Sequence, residues 1–429
     1  MKRAYPEYQE TGVDWLGNVP SHWSLGKLGA CFSERNEKVS DTEYPALSVT
    51  KKGIVPQMEH VAKTDAGDNR KKVSKNDFVI NSRSDRKGSA GVSEYDGSVS
   101  LISTVLEPRF YLPEFAHHLF RSYNFQEEFY RFGKGIVADL WSTRYAEMKN
   151  IVVPLVPHEE QIAIASFLDR ETARIDNMIG EKQAFINLLK EKRQALISHV
   201  VTKGLDPKVR MKDSGVEWIG EVPEHWDILL HRRLINTIEQ GWSPQADSNP
   251  PNDNQWGVTK LSAVKSGSFY PSECKAMLDE HDPSKGLRVN EGDFLITRAN
   301  TPELVGDVCI VGNLDDRKII ICDLIYKLIY DKSTNPRYMM YWFLGQPARA
   351  QIKIDARGSS MTMAKIAQSH IKSWKIPVPP IEEQVQAVAY LDQALSKLYS
   401  ISKEVEASID YLREHRIALI SSAVTGKID

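Results

Sequence analysis

The chain has 429 residues, 41% apolar and 26% charged, with 55 basic against 57 acidic side chains and a net charge of −2. At roughly 150 residues per domain this length predicts two or three domains, and the composition excludes disordered, collagen-like and low-complexity chains. No apolar run is long enough for a transmembrane helix, and Met1-Lys-Arg-Ala-Tyr-Pro-Glu-Tyr8 lacks the apolar core of a signal peptide, which predicts a cytoplasmic protein.

In chain order, the first feature is Gly12-Val-Asp-Trp-Leu-Gly-Asn-Val-Pro-Ser-His-Trp23, which returns as Gly215-Val-Glu-Trp-Ile-Gly-Glu-Val-Pro-Glu-His-Trp226. An internal repeat of this kind predicts a tandem duplication. Residues 1–156 then form a first domain, with strands expected at Ala46–Thr50, Phe78–Ser82, Gly91–Tyr95 and Leu101–Leu106. One helix over about Glu114–Phe132 and a turn at Gly133-Lys-Gly135 follow. Ile151-Val-Val-Pro-Leu-Val-Pro157 reads as a short strand whose prolines stop it and pre-set the first helical turn.

Residues 157–205 are predicted as a long helix and its linker. Leu168, Ile175, Leu189 and Leu196 share one heptad position, interrupted by Lys182, while Ile179 and Ile186 lie on a second seam. Lys203-Gly-Leu-Asp-Pro207 ends the helix with a glycine and then a proline. Residues 206–379 repeat the plan, with strands expected at Trp256–Leu261, Phe294–Thr297, Val308–Val311 and Ile319–Ile329. A helix over Pro336–Ile354 and a turn at Arg357-Gly-Ser-Ser360 come next. Beyond Ile376-Pro-Val-Pro-Pro380, residues 380–429 form the second long helix, with Leu391, Leu398, Val405, Leu412 and Leu419 spaced by seven. Sustained heptads predict a coiled coil, and two such helices in one chain most simply pair antiparallel. Glu159-Glu-Gln161 and Leu168-Asp169 return as Glu382-Glu-Gln384 and Leu391-Asp392. The duplication thus has similar ends and divergent middles.

Catalytic patterns are weak. No Gly-rich cofactor loop, P-loop, zinc-protease helix or nucleophile elbow occurs. Cys31, Cys274, Cys309 and Cys322 form no Cys-x-x-Cys pair, so they read as reduced thiols in or near cores, with no metal site. Asn249-Pro-Pro-Asn252 reads as a surface loop. Asp253 with Glu273-Cys-Lys275 is the one set that could hold a magnesium ion in a nuclease. His22 and His225 read as parts of packed corners, and neighbouring His117 and His118 do not share a helix face for a metal.

The neutral net charge argues mildly against a stand-alone nucleic-acid binder, so the local distribution decides. In the first middle, Arg70, Lys71, Lys72, Lys75, Arg83, Arg86 and Lys87 crowd together with interleaved serines. Lys134 and Arg144 lie at the following turn. The second middle offers Lys285, Arg288, Arg298 and Asn300, then Arg357, Ser359, Ser360 and Lys365. Such mixtures suit DNA, because cations neutralise phosphates while Arg, Ser and Asn can read base edges.

The two Gly-Val-(Asp/Glu)-Trp segments, the Pro-rich entries into Glu-Glu-Gln helices, and the tails Glu191-Lys-Arg-Gln-Ala-Leu-Ile-Ser198 and Glu414-His-Arg-Ile-Ala-Leu-Ile-Ser421 together resemble one family over the whole chain. It is the specificity subunit of type I restriction-modification enzymes. The resemblance implies an α+β (mixed α/β) fold: two globular target-recognition domains separated by a long antiparallel helical coiled coil, related by pseudo-two-fold symmetry. Each domain would read one half of a bipartite double-stranded DNA site. Two modification (methyltransferase) subunits would dock on the helices, and restriction (endonuclease/translocase) subunits would join them. The chain itself would be non-catalytic and hold no cofactor, with S-adenosylmethionine, ATP and magnesium on the partners. Two other readings stand beside it: a coiled-coil scaffold bridging two protein-binding heads, and the metal-dependent nuclease.

Overall fold

In the computed structural model the chain divides into two compact units, Met1–Gln183 with Glu406–Asp429, and Ala184–Val405. The structure describes residues 5–57, 67–135, 141–252, 255–278, 280–356 and 363–428, apart from the Ser84 side chain. The long helices, His158–Lys203 and Ile381–Val424, pass from one unit to the other, so each unit contains one end of both.

The repeated motif forms the same small corner in each unit. In the first, Tyr8–Glu10 pairs antiparallel with Asn18–Pro20; in the second, Met211–Asp213 pairs with Glu221–Pro223. The connecting turns place Gly12 and Gly17, and then Gly215 and Gly220, at positive φ, where glycine carries no steric cost. Each corner ends in a fully buried tryptophan, Trp23 or Trp226. The helix-ending glycines pack on these rings: a Cβ on Gly204 would meet Trp226 at 3.2 Å, and one on Gly426 would meet Trp23 at 3.0 Å.

The middles diverge in sequence yet share a sheet. In the first unit the order is Ala90–Val92, Phe78–Asn81, Ser103–Pro108, Phe32–Glu34, all antiparallel. In the second, Val308–Ile310, Phe294–Thr297, Ile325–Tyr330 and Ile235–Gln240 follow the same order within a six-stranded sheet. The turn before the central strand is also repeated. The Asp77 carboxylate accepts the Ser74 amide at 2.8 Å, and Asp293 accepts that of Asn290 at 2.8 Å. Asn76 and Gly292 supply the positive φ between them.

Three expected elements are corrected. The helix expected over Glu114–Phe132 is two helices, Pro113–Leu119 and Tyr123–Arg131, because the buried Ser122 adopts extended backbone and its side chain caps the second by accepting from the Phe125 amide. Likewise Pro336–Leu344 stops at Gly345, since Pro347 in Gln346–Asp355 cannot continue the earlier hydrogen-bond ladder. The strand expected over Ile319–Ile329 is also two. Ile319–Ile320 pairs parallel with Gly257–Thr259, while Ile325–Tyr330 joins the large sheet after a turn closed by the Ile325 amide on Cys322.

The heptad residues lie inward. In the first unit Leu168, Ile175 and Leu419 are buried in the core, with Ile179 and Leu412 packed against it. The helix ends run antiparallel there: Asp176 meets Arg416 at 2.9 Å, while Asp169, one to two turns earlier, lines a cavity with Ile420. In the second unit Leu391, Ile197 and Val200 are buried with Leu196 packed beside them, and Ile186 and Leu189 are buried too. Leu398 and Val405 are half-buried. The four cysteines are free and buried. Burial pushes Cys31 up to about 11 and Cys274 to about 12.

Candidate nucleic-acid interface

The central strand of each sheet delivers the chain to the same kind of contact. In the first unit Phe78–Asn81 leads into Ser82 and Arg83, and Arg83 bridges antiparallel to Ser142. The Thr143 amide donates to the Ser82 carbonyl at 2.9 Å. In the second, Phe294–Thr297 leads into Arg298 and Ala299, and Ala299 pairs with Lys365. There the Ile366 amide donates to the Arg298 carbonyl at 2.9 Å. The two bridges correspond position for position, with the basic residue on opposite strands: Arg83 faces Ser142, whereas Ala299 faces Lys365.

Around the first bridge the structure gathers cations far apart in sequence. Ser142 bridges to Lys134 as well as Arg83, and Arg144 follows two residues later. Arg83, Lys134 and Arg144 are all exposed; Lys134 lies 3.6 Å from Glu147. Arg86 and Lys87 continue from Arg83 on a short 3-10 turn, also exposed, with Arg86 3.7 Å from Asp85 and Lys87 paired to Glu127. Gly133 is required by close approach, since a Cβ there would lie 2.1 Å from the Trp141 indole nitrogen. That nitrogen donates to the Tyr130 carbonyl at 2.8 Å and holds the turn closed. Ser142 and Trp141 carry no signal in the sequence; only the bridge reveals them.

The stretch Arg70–Lys72 is different, and Arg70 is a correction. Its side chain is buried and donates to the Ser98 hydroxyl at 2.9 Å and the Ser98 carbonyl at 3.0 Å, so it ties strands together inside the fold. Burial pushes this guanidinium below its ordinary value. Lys71 is paired with Glu34 at 3.3 Å and only 14% of its side chain is exposed. Lys72 is paired with Glu37 at 3.1 Å and lies over the Tyr44 ring. Lys75 is exposed beside them.

In the second unit the bridge collects Arg298, Asn300 and Lys365. Lys365 is exposed, and Arg298 is half-buried over the Tyr326 ring. Lys285 and Arg288 sit on a separate segment, Arg288 over Trp256. Arg357, Ser359, Ser360 and Asp253 lie outside the described residues. Glu273 accepts a hydrogen bond from Ser262 at 2.7 Å. Among the described residues no helix is long and apolar enough to cross a membrane.

A duplicated α+β chain with two divergent middles, each unit containing one end of both long helices, defines a class: a tandem-duplicated protein with one variable middle in each unit. Residues 247–411 match the family described as the type I restriction modification DNA specificity domain. The chain is 27% identical to a Methanocaldococcus jannaschii protein described as "Putative type I restriction enzyme MjaX specificity subunit", over 67% of its own length and 61% of that protein. With the EcoKI specificity subunit of Escherichia coli K12 it shares 22% identity over 83% of this chain and 76% of the relative. In fold it is similar to a chain solved in a study of type I restriction-modification assembly, at a TM-score of 0.71 and 17% identity, covering 95% of this chain and 98% of the other. The HsdS subunit of Thermoanaerobacter tengcongensis aligns at 0.55 and 16% identity, over 96% and 98%. In sequence and in fold the chain thus resembles the specificity subunits of type I restriction-modification enzymes.

Proposed function

We propose that this chain reads a bipartite site in double-stranded DNA, one half with each unit, as the recognition component of a type I restriction-modification complex. The observation that carries this reading is the duplicated bridge: Arg83 on Ser142 and Ala299 on Lys365 occupy one place in the fold but differ in which strand bears the cation. Similar scaffolds with different readers suit two unrelated half-sites, because sequence is read by side chains at base edges while the scaffold fixes register.

Modification and restriction subunits dock on the helices in this reading. It is supported by large apolar side chains left exposed there, Phe185, Leu188 and Tyr399 in the second unit and Tyr411 in the first. Methyl transfer and cleavage belong to those partners, which carry S-adenosylmethionine, ATP and magnesium, and the complex works in the cytoplasm. The test is co-purification of the chain with its co-expressed neighbours, followed by mapping of adenine methylation in host DNA. The expected result is a split motif whose one half changes when residues 24–156 are exchanged for those of a relative. A preparation of the chain alone that methylates or cuts DNA, or a complex without DNA affinity, overturns the reading.

A further inference from the structure

A second, smaller correspondence between the units points to a ligand that neither the repeat nor the DNA-reading loops require. In the first unit a cavity of about 700 Å³ opens where Pro113–Leu119 meets the two long helices. That size falls within the range of sites for small organic ligands. Its lining includes His117, His118, Arg121, Asp169, Thr172 and Arg416. The second unit has a cavity of about 650 Å³ at the equivalent place, lined at the same six positions by Met340, Tyr341, Leu344, Asp392, Leu395 and Arg193. Three positions on the short helix and just after it have therefore diverged from apolar or aromatic in one unit to cationic or imidazole in the other.

The charges of the first cavity do not balance internally. His118 is 2.7 Å from Asp169, Lys87 is paired with Glu127, and Arg416 is paired with Asp176. Arg121 has no carboxylate partner among the described residues. One of its terminal nitrogens donates to the Lys51 carbonyl at 2.7 Å, the other lies against the His117 ring, and its Nε is buried without any hydrogen-bond partner. Burial, and next the neighbouring Arg416 charge, push the Arg121 guanidinium below its ordinary value. Arg121 is half-buried with its Nε enclosed, and a partly desolvated cation facing a second cation is costly unless an anion completes it.

We infer that this cavity binds a phosphate group, held by Arg121 with Arg416 and the two histidines around it. A guanidinium suits phosphate because its fork of donors matches the oxygens. The exposed ring of Tyr123 at the cavity wall offers a flat face for a planar group attached to that phosphate, as in a nucleotide. The equivalent cavity of the second unit has Leu344 in place of Arg121; its own cations are Arg337, paired with Asp392, and Lys190 and Arg193, so it serves as the internal comparison for the Arg121 position alone.

The experiment uses the full chain, titrated with inorganic phosphate and with adenosine monophosphate at constant ionic strength, and read by calorimetry and by the ring resonances of His117 and His118. Wild type is expected to bind in the millimolar range or tighter and to shift both histidines. Arg121→Gln is expected to bind at least about tenfold more weakly, the loss of one charge-assisted hydrogen bond. A double variant, His117→Met with Arg121→Leu, installs the residues of the second unit and is expected to abolish binding. A short DNA duplex is added as competitor: displacement assigns the site to a backbone phosphate, and its absence assigns it to a free phosphate ester. Wild type that leaves the histidine resonances unmoved, or variants that bind as wild type does, overturns the proposal. The wild-type resonances decide the matter even where a variant fails to fold.

Discussion

The indole nitrogen of Trp226 donates to Glu383 at 2.9 Å, and His225 meets the other oxygen of the same carboxylate at 2.6 Å. In the first unit Trp23 and His22 meet Glu160 at 3.0 and 2.6 Å. Next to each glutamate a glutamine caps a short helix: the Leu112 amide donates to Gln161 and the Asn335 amide to Gln384, both at 2.8 Å. One repeated dipeptide, Glu-Gln, thus fastens the corner motif and the recognition unit to the start of a long helix.

Breaking this clamp is expected to cost stability before it costs recognition. Glu383→Ala leaves the indole N–H of the buried Trp226 without its acceptor, a loss of about 1–3 kcal/mol. That corresponds to a fall in Tm of roughly 2–12 °C for a unit of this size, at about 2–4 °C per kcal/mol. Glu383→Gln keeps one acceptor oxygen and should lose less. Thermal unfolding followed by tryptophan fluorescence checks the order wild type, Gln, Ala. Equal midpoints for all three would show that the clamp is ornamental. Burial disfavours ionisation of Glu160, but its bonds from Trp23, His22 and Tyr5 outweigh this and hold its pKa below the ordinary value. Its contribution is therefore present above the unfolded carboxyl pKa and lost as pH falls through the lower, folded one.

Acid should weaken the second unit through a different group. His231 is fully buried, and burial pushes its pKa down to about 3, opposed by its bond to the Ile371 carbonyl. A carbonyl can only accept, so Nδ1 carries the proton and donates to Ile371 at 3.1 Å, leaving Nε2 to accept from Tyr330 at 3.1 Å. The unfolded chain takes up a proton below pH ~6.5, whereas the folded one does not until pH approaches 3. Stability is then intact above that unfolded pKa and falls by about 1.4 kcal/mol per pH unit beneath it, or ~2 kcal/mol by pH 5. Denaturant midpoints from pH 7.5 to 5 should converge for wild type and His231→Gln, since the variant lacks this titration. Parallel curves would refute the assignment.

The salt dependence of DNA binding should separate the two groups of cations in the first unit. Neutral substitutions at Arg83, Lys134 and Arg144 in the assembled complex are expected to weaken binding. They should also flatten the salt slope by up to about 0.9 for each phosphate left without its cation. Lys71→Gln with Lys72→Gln should leave the slope nearly unchanged, because both side chains already face glutamates. If the second pair flattens the slope and the first set does not, the interface lies on the Arg70–Val73 strand.

The sequence alone determined the duplication, the two long helices and the inward heptad residues, because glycine turns, proline stops and apolar periodicity are local properties. It also marked the basic middles as the place to look for DNA contacts. Only the tertiary structure decided which cations are free. Arg70 and Arg83 are equally basic and close in sequence, yet one is spent inside on Ser98 and the other is exposed opposite Ser142. The break after Leu119, the split at Cys322 and the pairing of Lys134 with Ser142 likewise depend on contacts distant in the chain. A side chain's charge is written in its own formula. Whether that charge is neutralised is settled by neighbours that only folding brings within hydrogen-bonding distance.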